Sequence, residues 1–414
     1  LKILITENVK DIELHKQIIQ YYISENKLNE AIETLSKSSK IFDLSQKESS
    51  DLTYLSAEIY LKKKDISNAE KYYSILLENK KYRSLSALKI GNIKYLSGDY
   101  KEASKYYEIT ASDNNYRKTV SEVLSYCYLN IGLSLYNSKN FTESLSSLIK
   151  SSSYNFSDYR PFYYCGLILL NQNKIKECSE YFLKANSIKE GCMDVNYYLG
   201  SAYYALKQYD KSEIEFQKSL KQKVFPDVYI KLGDISVLKK EYETAINYYR
   251  SALSSVAAGD EKKRILFELG KIYEILKETD KSIEYYEKYF AENSSDAKII
   301  LKLAELYKIS NELTKSKDFY NRYLKLESNP EILIETARIE MQAGDYKNAE
   351  YKLKSMLKGK YRIESLKHLS VISAITNRHS EAVKYFNEIK ELKNYNESEL
   401  KLIAKSALSE QATT

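Results

Sequence analysis

Small and apolar residues recur along the chain in a fixed order. A small residue is followed twelve positions later by a second small residue and, after four more, by a large side chain, as in Gly91, Ala103 and Tyr107. Two antiparallel helices that cross closely need small facing residues at the crossing, and an aromatic side chain then fills the space beside them. Each copy of the pattern therefore predicts a hairpin of two packed helices.

The pattern occurs in eleven copies, of which the first is degenerate, and their second small residues lie 33 to 41 positions apart. Glycine often fills the first small position, although a glycine inside a helix costs roughly 1 kcal/mol relative to alanine. Close packing explains that choice. Pro161, Pro226 and Pro330 fall at predicted starts of first helices, where a missing N–H is harmless. The residues predicted to pack the crossings are Gly91, Ala103, Gly132, Gly166, Gly200, Gly233, Ala245 and Gly270.

These copies resemble tetratricopeptide repeats, helix-turn-helix units with a period of about 34 residues. The resemblance implies an all-α fold, a right-handed α-solenoid superhelix of about eleven repeats. We expect an N-terminal extension over 1–11, the repeats over 12–395, and a capping helix and tail over 396–414. The family's tryptophan is missing from every copy. The wider spacings predict longer loops at 40–47, 111–118 and 255–260.

Composition agrees with a helical repeat and narrows the function. The 414 residues include only 11 glycines and 3 prolines, too few turn formers for an all-β fold. The net charge of +7 is spread over interleaved acidic and basic residues, so we expect no nucleic-acid binding. No apolar run reaches 18 residues, and we expect no direct membrane insertion. The first residue is Leu1, which is typical of a fragment; the cytoplasm, the bacterial periplasm and any oligomeric state stay open.

Catalytic and metal-binding patterns are not found in the sequence. Gly270 and Lys271 lack the other residues of a phosphate-binding loop. The histidines His15, His368 and His379 form no pair at helical ligand spacing, and the four cysteines form no CxxC motif. The sequence therefore predicts buried thiols and a protein that is not an enzyme, with no catalytic residue, metal site or cofactor.

In the resembled family the first helices line a concave groove, which makes their inward residues candidate contacts for a partner. In copies four to six these residues are aromatic and nearly uncharged, whereas in copies seven to eleven they are largely charged, as with Asp234, Arg264 and Lys302. An aromatic patch is typical of a protein interface. Alternatively, the tyrosines pack neighbouring repeats together or reflect an AT-rich genome. The predicted groove residues are Tyr126, Leu129, Asn130, Leu133, Tyr163, Tyr164, Leu167, Tyr197, Tyr198 and Tyr204.

The carboxylate clamp of co-chaperones is a sharper feature of the resembled family. Asn92, Asn130 and Arg160 fit its pattern, but Leu88 and Tyr164 stand where cationic side chains are expected. Two missing cationic groups leave too little charge to hold a peptide carboxylate tightly. We therefore do not expect this chain to bind chaperone tails.

By resemblance, the expected function is a scaffold that binds protein or peptide partners in a multi-protein assembly. One specific alternative is a scaffold of the periplasmic flagellar-motor collar of a spirochaete, because the Ile-, Lys-, Asn- and Tyr-rich composition suggests an AT-rich bacterial genome. A second alternative is a regulatory adaptor that binds a peptide in the tyrosine-rich groove.

Overall fold

The computed structural model describes residues 11–41, 46–255 and 259–393, and in these residues the regular structure is entirely helical. The chain divides into two compact units, Leu1–Val224 and Phe225–Thr414, here called unit 1 and unit 2. The predicted capping helix lies outside the described residues. The predicted all-α fold of repeated hairpins is confirmed.

Both units consist of hairpins in which a first helix packs against the second helix that follows it. In unit 1 the described hairpins are α1 (Ile12–Ser24) with α2 (Leu28–Ile41), α3 (Gln46–Lys62) with α4 (Ile66–Ile75), α5 (Arg83–Leu96) with α6 (Tyr100–Ala111), α7 (Asn114–Asn137) with α8 (Phe141–Tyr154), α9 (Tyr159–Asn171) with α10 (Ile175–Ile188), and α11 (Val195–Ala205) with α12 (Tyr209–Gln222). A 3-10 turn, Leu76–Glu78, follows α4.

Unit 2 continues the same pattern. Its described hairpins are α13 (Pro226–Leu238) with α14 (Tyr242–Ser255), α15 (Asp260–Ile275) with α16 (Thr279–Glu292), α17 (Ala297–Ile309) with α18 (Leu313–Leu326), α19 (Pro330–Gln342) with α20 (Tyr346–Ser355), and α21 (Arg362–Ile375) with α22 (His379–Lys393). Pro226 and Pro330 begin their helices, as the sequence predicts, while Pro161 is the third residue of α9.

The helix crossings leave no room for a side chain at the glycines. A Cβ atom on Gly166 would lie 2.6 Å from the ring of Phe182, and one on Gly270 would lie 2.7 Å from the ring of Tyr286. The same conflict arises at Gly91, Gly132, Gly200 and Gly233. Where the second small residue is serine, its hydroxyl donates to the carbonyl oxygen of the first: Ser212 bonds Gly200 at 2.8 Å. Ala103 and Ala245 are fully buried at their crossings.

The turn inside each hairpin uses one residue in the left-handed region. Such a residue closes the first helix because the amide after it reaches back to a carbonyl near the helix end. In the second hairpin, Asp65 donates from its backbone N–H to the carbonyl oxygen of Tyr60 at 2.9 Å. The left-handed residues, with φ between 57° and 79°, are Asn26, Lys64, Gly98, Lys139, Asn173, Lys207, Lys240, Lys277, Asn311, Gly344 and Asn377.

One predicted loop is wrong. The sequence predicts a longer loop at 111–118, but only Ser112 and Asp113 separate α6 from α7, which is 24 residues long. Asp113 caps α7 by accepting a hydrogen bond from the backbone N–H of Asn115 at 3.0 Å. No glycine or proline follows, so the extra residues extend the helix instead of the loop. The predicted loops at 40–47 and 255–260 lie partly outside the described residues.

Candidate partner-binding face

The predicted groove residues lie on α7, α9 and α11, the first helices of three consecutive hairpins in unit 1. Among the predicted groove residues, Tyr126 is the exposed one, with 38% of its surface accessible. The half-buried members are Asn130, Leu133, Tyr164, Leu167, Tyr197, Tyr198 and Tyr204. We call Tyr126 and these seven residues the tyrosine face.

Two predicted contact residues lie beneath this face. Leu129 is 1% exposed and packs with Leu148, Cys165 and Ile168. Tyr163 is 5% exposed and belongs to the core formed by α9, α10 and α11. A partner cannot reach side chains this deeply buried, so we assign both residues to the core under the face.

Aromatic rings connect the first helices of these hairpins. Tyr136 on α7 meets Tyr164 on α9 edge to face, with ring centroids 5.3 Å apart. Tyr163 on α9 meets Tyr198 on α11 at 6.0 Å, and Tyr198 also stacks on Phe182 at 5.4 Å. The tyrosines therefore pack neighbouring repeats together, which was one interpretation of the sequence, while their outer edges stay half-exposed.

A third ring cluster was missed by the sequence analysis. Tyr126 contacts Tyr95 at 6.0 Å and Tyr100 at 5.9 Å, which joins α7 to the preceding hairpin. Tyr100 begins a second helix, so inspection of first helices alone does not find it. The signal was present in the sequence, because Tyr95 and Tyr100 flank the α5–α6 turn.

Burial keeps the phenols of this region neutral. It raises the pKa of Tyr198 and of Tyr136 above the ordinary value, because a phenolate is poorly solvated among packed rings. The neighbouring charge of Asp194 raises the pKa of Tyr198 further. At neutral pH these residues therefore present hydroxyl groups that can both donate and accept a hydrogen bond.

In unit 2 ion pairs connect the first helices instead. Each neighbouring pair of first helices in the described part of this unit carries one. Glu274 on α15 accepts from Lys302 on α17 at 2.6 Å. The others are Asp234 with Arg264 at 2.5 Å, Lys308 with Glu335, and Arg338 with Glu364 at 2.5 Å. The charged residues of copies seven to eleven thus bond largely to one another.

In several copies the residue after the first-helix glycine matches the large side chain that packs on that glycine. Tyr249, which packs on Gly233, donates its hydroxyl to Asp234 at 2.7 Å, the residue after that glycine. Tyr107 donates likewise to Asn92 at 2.8 Å. In copies four and five the corresponding large residues are Leu148 and Phe182, which have no hydroxyl, and the residues after the glycines are Leu133 and Leu167. At these two crossings, large side chains without a hydroxyl group accompany the apolar part of the tyrosine face.

The partial carboxylate-clamp pattern is already engaged within the chain. Asn92 accepts from Tyr107, and Asn130 donates from its side-chain amide to the carbonyl oxygen of Tyr126 at 2.8 Å. Arg160 pairs with Asp158 at 2.7 Å. These contacts, with Leu88 and Tyr164 in the cationic positions, leave no clamp at this place.

The cysteines, possible metal ligands and apolar helices of the described residues were also considered as functional features. Cys127, Cys165, Cys178 and Cys192 are buried free thiols, and burial raises the pKa of the first two to about 12. Residues 11–41, 46–255 and 259–393 contain no cluster of three metal-ligating side chains. In the same ranges we find no helix with the length and hydropathy of a membrane span.

Comparison with known proteins identifies the repeat. A family model for the tetratricopeptide repeat matches residues 226–255 and 263–295. Tetratricopeptide repeat protein 8 of Mus musculus is 24% identical over 97 residues, which is 23% of this chain and 18% of that protein.

Two solved structures are also similar. YrrB, a tetratricopeptide repeat protein with an unusual peptide-binding site, superposes with a TM-score of 0.38 at 15% identity over 45% of this chain and 94% of its own. The C-terminal part of a repeat protein from Cytophaga hutchinsonii gives 0.39 at 20% identity, over 57% and 97% of the two chains.

Proposed function

Because its hairpins repeat with the tetratricopeptide spacing and a tetratricopeptide repeat model matches residues 226–255 and 263–295, we propose that the chain is a non-enzymatic tetratricopeptide repeat scaffold whose tyrosine face binds protein partners. One observation carries the proposal. Three adjoining first helices present half-exposed aromatic and aliphatic side chains, whereas first helices in unit 2 are joined by ion pairs. Tyrosine supplies large contact area at low entropic cost and keeps a hydrogen-bonding tip, which suits a protein interface.

The test needs variants that keep the repeats folded. Tyr164 and Tyr198 hold neighbouring hairpins together, so their removal changes stability as well as surface. Leu133→Glu with Leu167→Glu is gentler, because the same position in copy nine carries Glu305. Glu305→Gln is the control.

We expect a tagged chain to capture partners from a lysate of its source, identified by mass spectrometry, and Leu133→Glu/Leu167→Glu to lose them. Glu305→Gln should retain them, and circular dichroism should show all three proteins equally helical. Identical captured sets for all three would place the binding surface elsewhere on the chain.

Hydrogen exchange on the captured complex separates a scaffold from a peptide adaptor. A scaffold in a multi-protein assembly should gain protection on helices of both units, since large assemblies bury wide surfaces. A peptide adaptor should gain protection on α7, α9 and α11 alone.

A further inference from the structure

The turns beside the tyrosine face carry lysines that no acidic residue follows, whereas the left-handed lysines of other turns, Lys64, Lys240 and Lys277, stand before Asp65, Glu241 and Glu278. Lys139 and Lys207 occupy the left-handed position with φ of 62° and 57°, which asparagine and glycine adopt at lower cost. In the turn between them, Asn173 takes that position and Lys174 follows it as the N-cap of α10. We call Lys139, Lys174 and Lys207 the lysine strip.

The helix caps in these turns are also weak. Lys174 makes no side-chain capping bond, and neither do Asn140 and Gln208 at the matching positions before α8 and α12. Asp65 and Asp99 do cap the second helices of copies two and three. A carboxylate is favoured at a helix N-terminus and a lysine is not, because the helix dipole is positive there. The dipole of the preceding helix favours Lys139 and Lys207, but it does not explain Lys174.

The strip follows the last turns of the helices that carry the tyrosine face: Tyr204 belongs to the face, and the ring of Tyr136 contacts Tyr164 of the face. The backbone N–H of Lys139 donates to the carbonyl oxygen of Tyr136 at 2.9 Å, and that of Lys207 to Tyr204 at 3.0 Å. Asn173 donates to Leu170 at 2.9 Å in the turn between them. A segment that runs along the face toward the ends of α7, α9 and α11 would reach the turns that carry the strip.

The charges of the strip are available to a partner. All three lysines are exposed, and within the described ranges their ammonium groups form no ion pair or hydrogen bond. The nearby carboxylates are in the first turns of the second helices, and two further lysines accompany them; these residues are Glu143, Glu177, Asp210, Lys176 and Lys211. Counted together, these turns keep an excess of positive charge, while Asp194 lies beside Tyr198 at the other end of α11.

We propose that the lysine strip binds acidic residues of a partner segment whose apolar residues lie on the tyrosine face. This inference rests on the proposed function and specifies the partner's chemistry: apolar side chains followed by glutamates or aspartates. Charge complementarity supports that occupant, since exposed unpaired lysines attract carboxylates and steer their approach.

The test compares two triple variants of equal charge change in the full chain. Lys139→Asn/Lys174→Asn/Lys207→Asn removes the strip, and Lys64→Asn/Lys240→Asn/Lys277→Asn removes left-handed lysines that stand before Asp65, Glu241 and Glu278. The probes are a fluorescein-labelled oligoglutamate and its oligoglutamine counterpart, read by anisotropy at low and at physiological salt.

We expect the wild type to bind oligoglutamate in a salt-dependent way, and the strip variant to bind about tenfold more weakly. The control variant should bind as the wild type does, and neither variant should melt at a lower temperature. An equal loss of binding in both variants would show that only the overall charge matters. Equal binding of the two probes would show that acidic side chains are not preferred. A lower melting temperature of the strip variant would show that the lysines stabilise the fold. Each of these outcomes overturns the proposal. Should Leu133→Glu/Leu167→Glu lose the captured partner while the strip variant retains it, the tyrosine face would stand and the strip would not.

Discussion

Neighbouring first helices are joined by different side-chain contacts in the central hairpins and in unit 2. Rings join α5 to α7, α7 to α9 and α9 to α11, whereas ion pairs join the first helices of unit 2. In an ion pair the charged groups at the surface are already bonded to each other, whereas rings in edge contact leave part of their apolar surface exposed. This difference is why we propose that partners bind the stretch of repeats held by rings.

The crossings inside the hairpins should not distinguish the two regions. Gly166→Ala and Gly270→Ala both force a Cβ atom against a buried ring, and we expect each to cost about 1–3 kcal/mol in the free energy of unfolding. Urea denaturation followed by circular dichroism measures this. Gly344→Asn is the control, because that turn has open space and asparagine tolerates its positive φ. If the alanine variants were more stable, helix propensity would outweigh packing.

The junction between α1 and α3 is of the ionic type and should fail in acid. Burial favours the neutral acid at Asp51, but hydrogen bonds from Lys16, Lys81 and Tyr82 lower its pKa from 3.8 to about 2. A lowered pKa stabilises the fold above about pH 4, by about 2 kcal/mol, and this contribution is lost as the pH falls toward 2. Asp51→Asn should therefore lower the melting temperature at pH 6 and change it little at about pH 2. An equal effect at both pH values would contradict the ionic account.

Exchanging the ring chemistry should affect two neighbouring copies differently. Phe182→Tyr places a hydroxyl toward Leu167, and we expect a loss of about 1–2 kcal/mol in unfolding free energy. Phe216→Tyr places it toward Ser201, whose buried hydroxyl has no hydrogen-bond partner within the described ranges. The hydrogen bond from the hydroxyl of Tyr107 to Asn92 shows the contact that we expect there. Phe216→Tyr should be neutral or stabilising by thermal denaturation, and equal losses in both variants would show that the neighbouring residue does not matter.

We expect added salt to have the smallest effect on the local stability of the repeats. The ion pairs between first helices in unit 2 are partly exposed, so each contributes less than about 1 kcal/mol and is screened at high ionic strength. Hydrogen exchange should show that added salt weakens the protection of α15 and α17, and leaves that of α9 and α11 unchanged. Equal loss in both sets would mean that the junction chemistry does not control local stability.

The repeat pattern predicted the hairpins well because close crossing restricts residue type. Only glycine fits where the ring of Phe182 touches the backbone of α9, and a sequence records such a restriction directly. The extension of α7 was not predicted, since spacing alone does not say whether extra residues form a loop or add helical turns. The Asp113 cap and the absence of glycine or proline were the available signals.

The candidate site was predicted less completely. One residue along a helix turns the side chain by about 100°, so Tyr163 lies in the core and Tyr164 on the face although the two are adjacent. The partners across repeats, such as Lys302 with Glu274, depend on how far each hairpin rotates from the last, which the pattern does not encode. In some copies the match between the ring and the residue after the glycine was readable in the sequence, as in Tyr107 with Asn92 and Phe182 with Leu167, but Phe216 with Ser201 and Tyr286 with Glu274 do not follow it.

That matching limits how the gene can change by duplication or recombination. A hairpin whose ring bears a hydroxyl needs a polar partner on its first helix, as Tyr249 has Asp234 and Tyr286 has Glu274, so the ring and its partner must be copied together. Both lie within one hairpin, and whole hairpins are therefore the natural unit of exchange. A crossover inside a hairpin, joining Leu167 to a tyrosine, would give a mismatched chain.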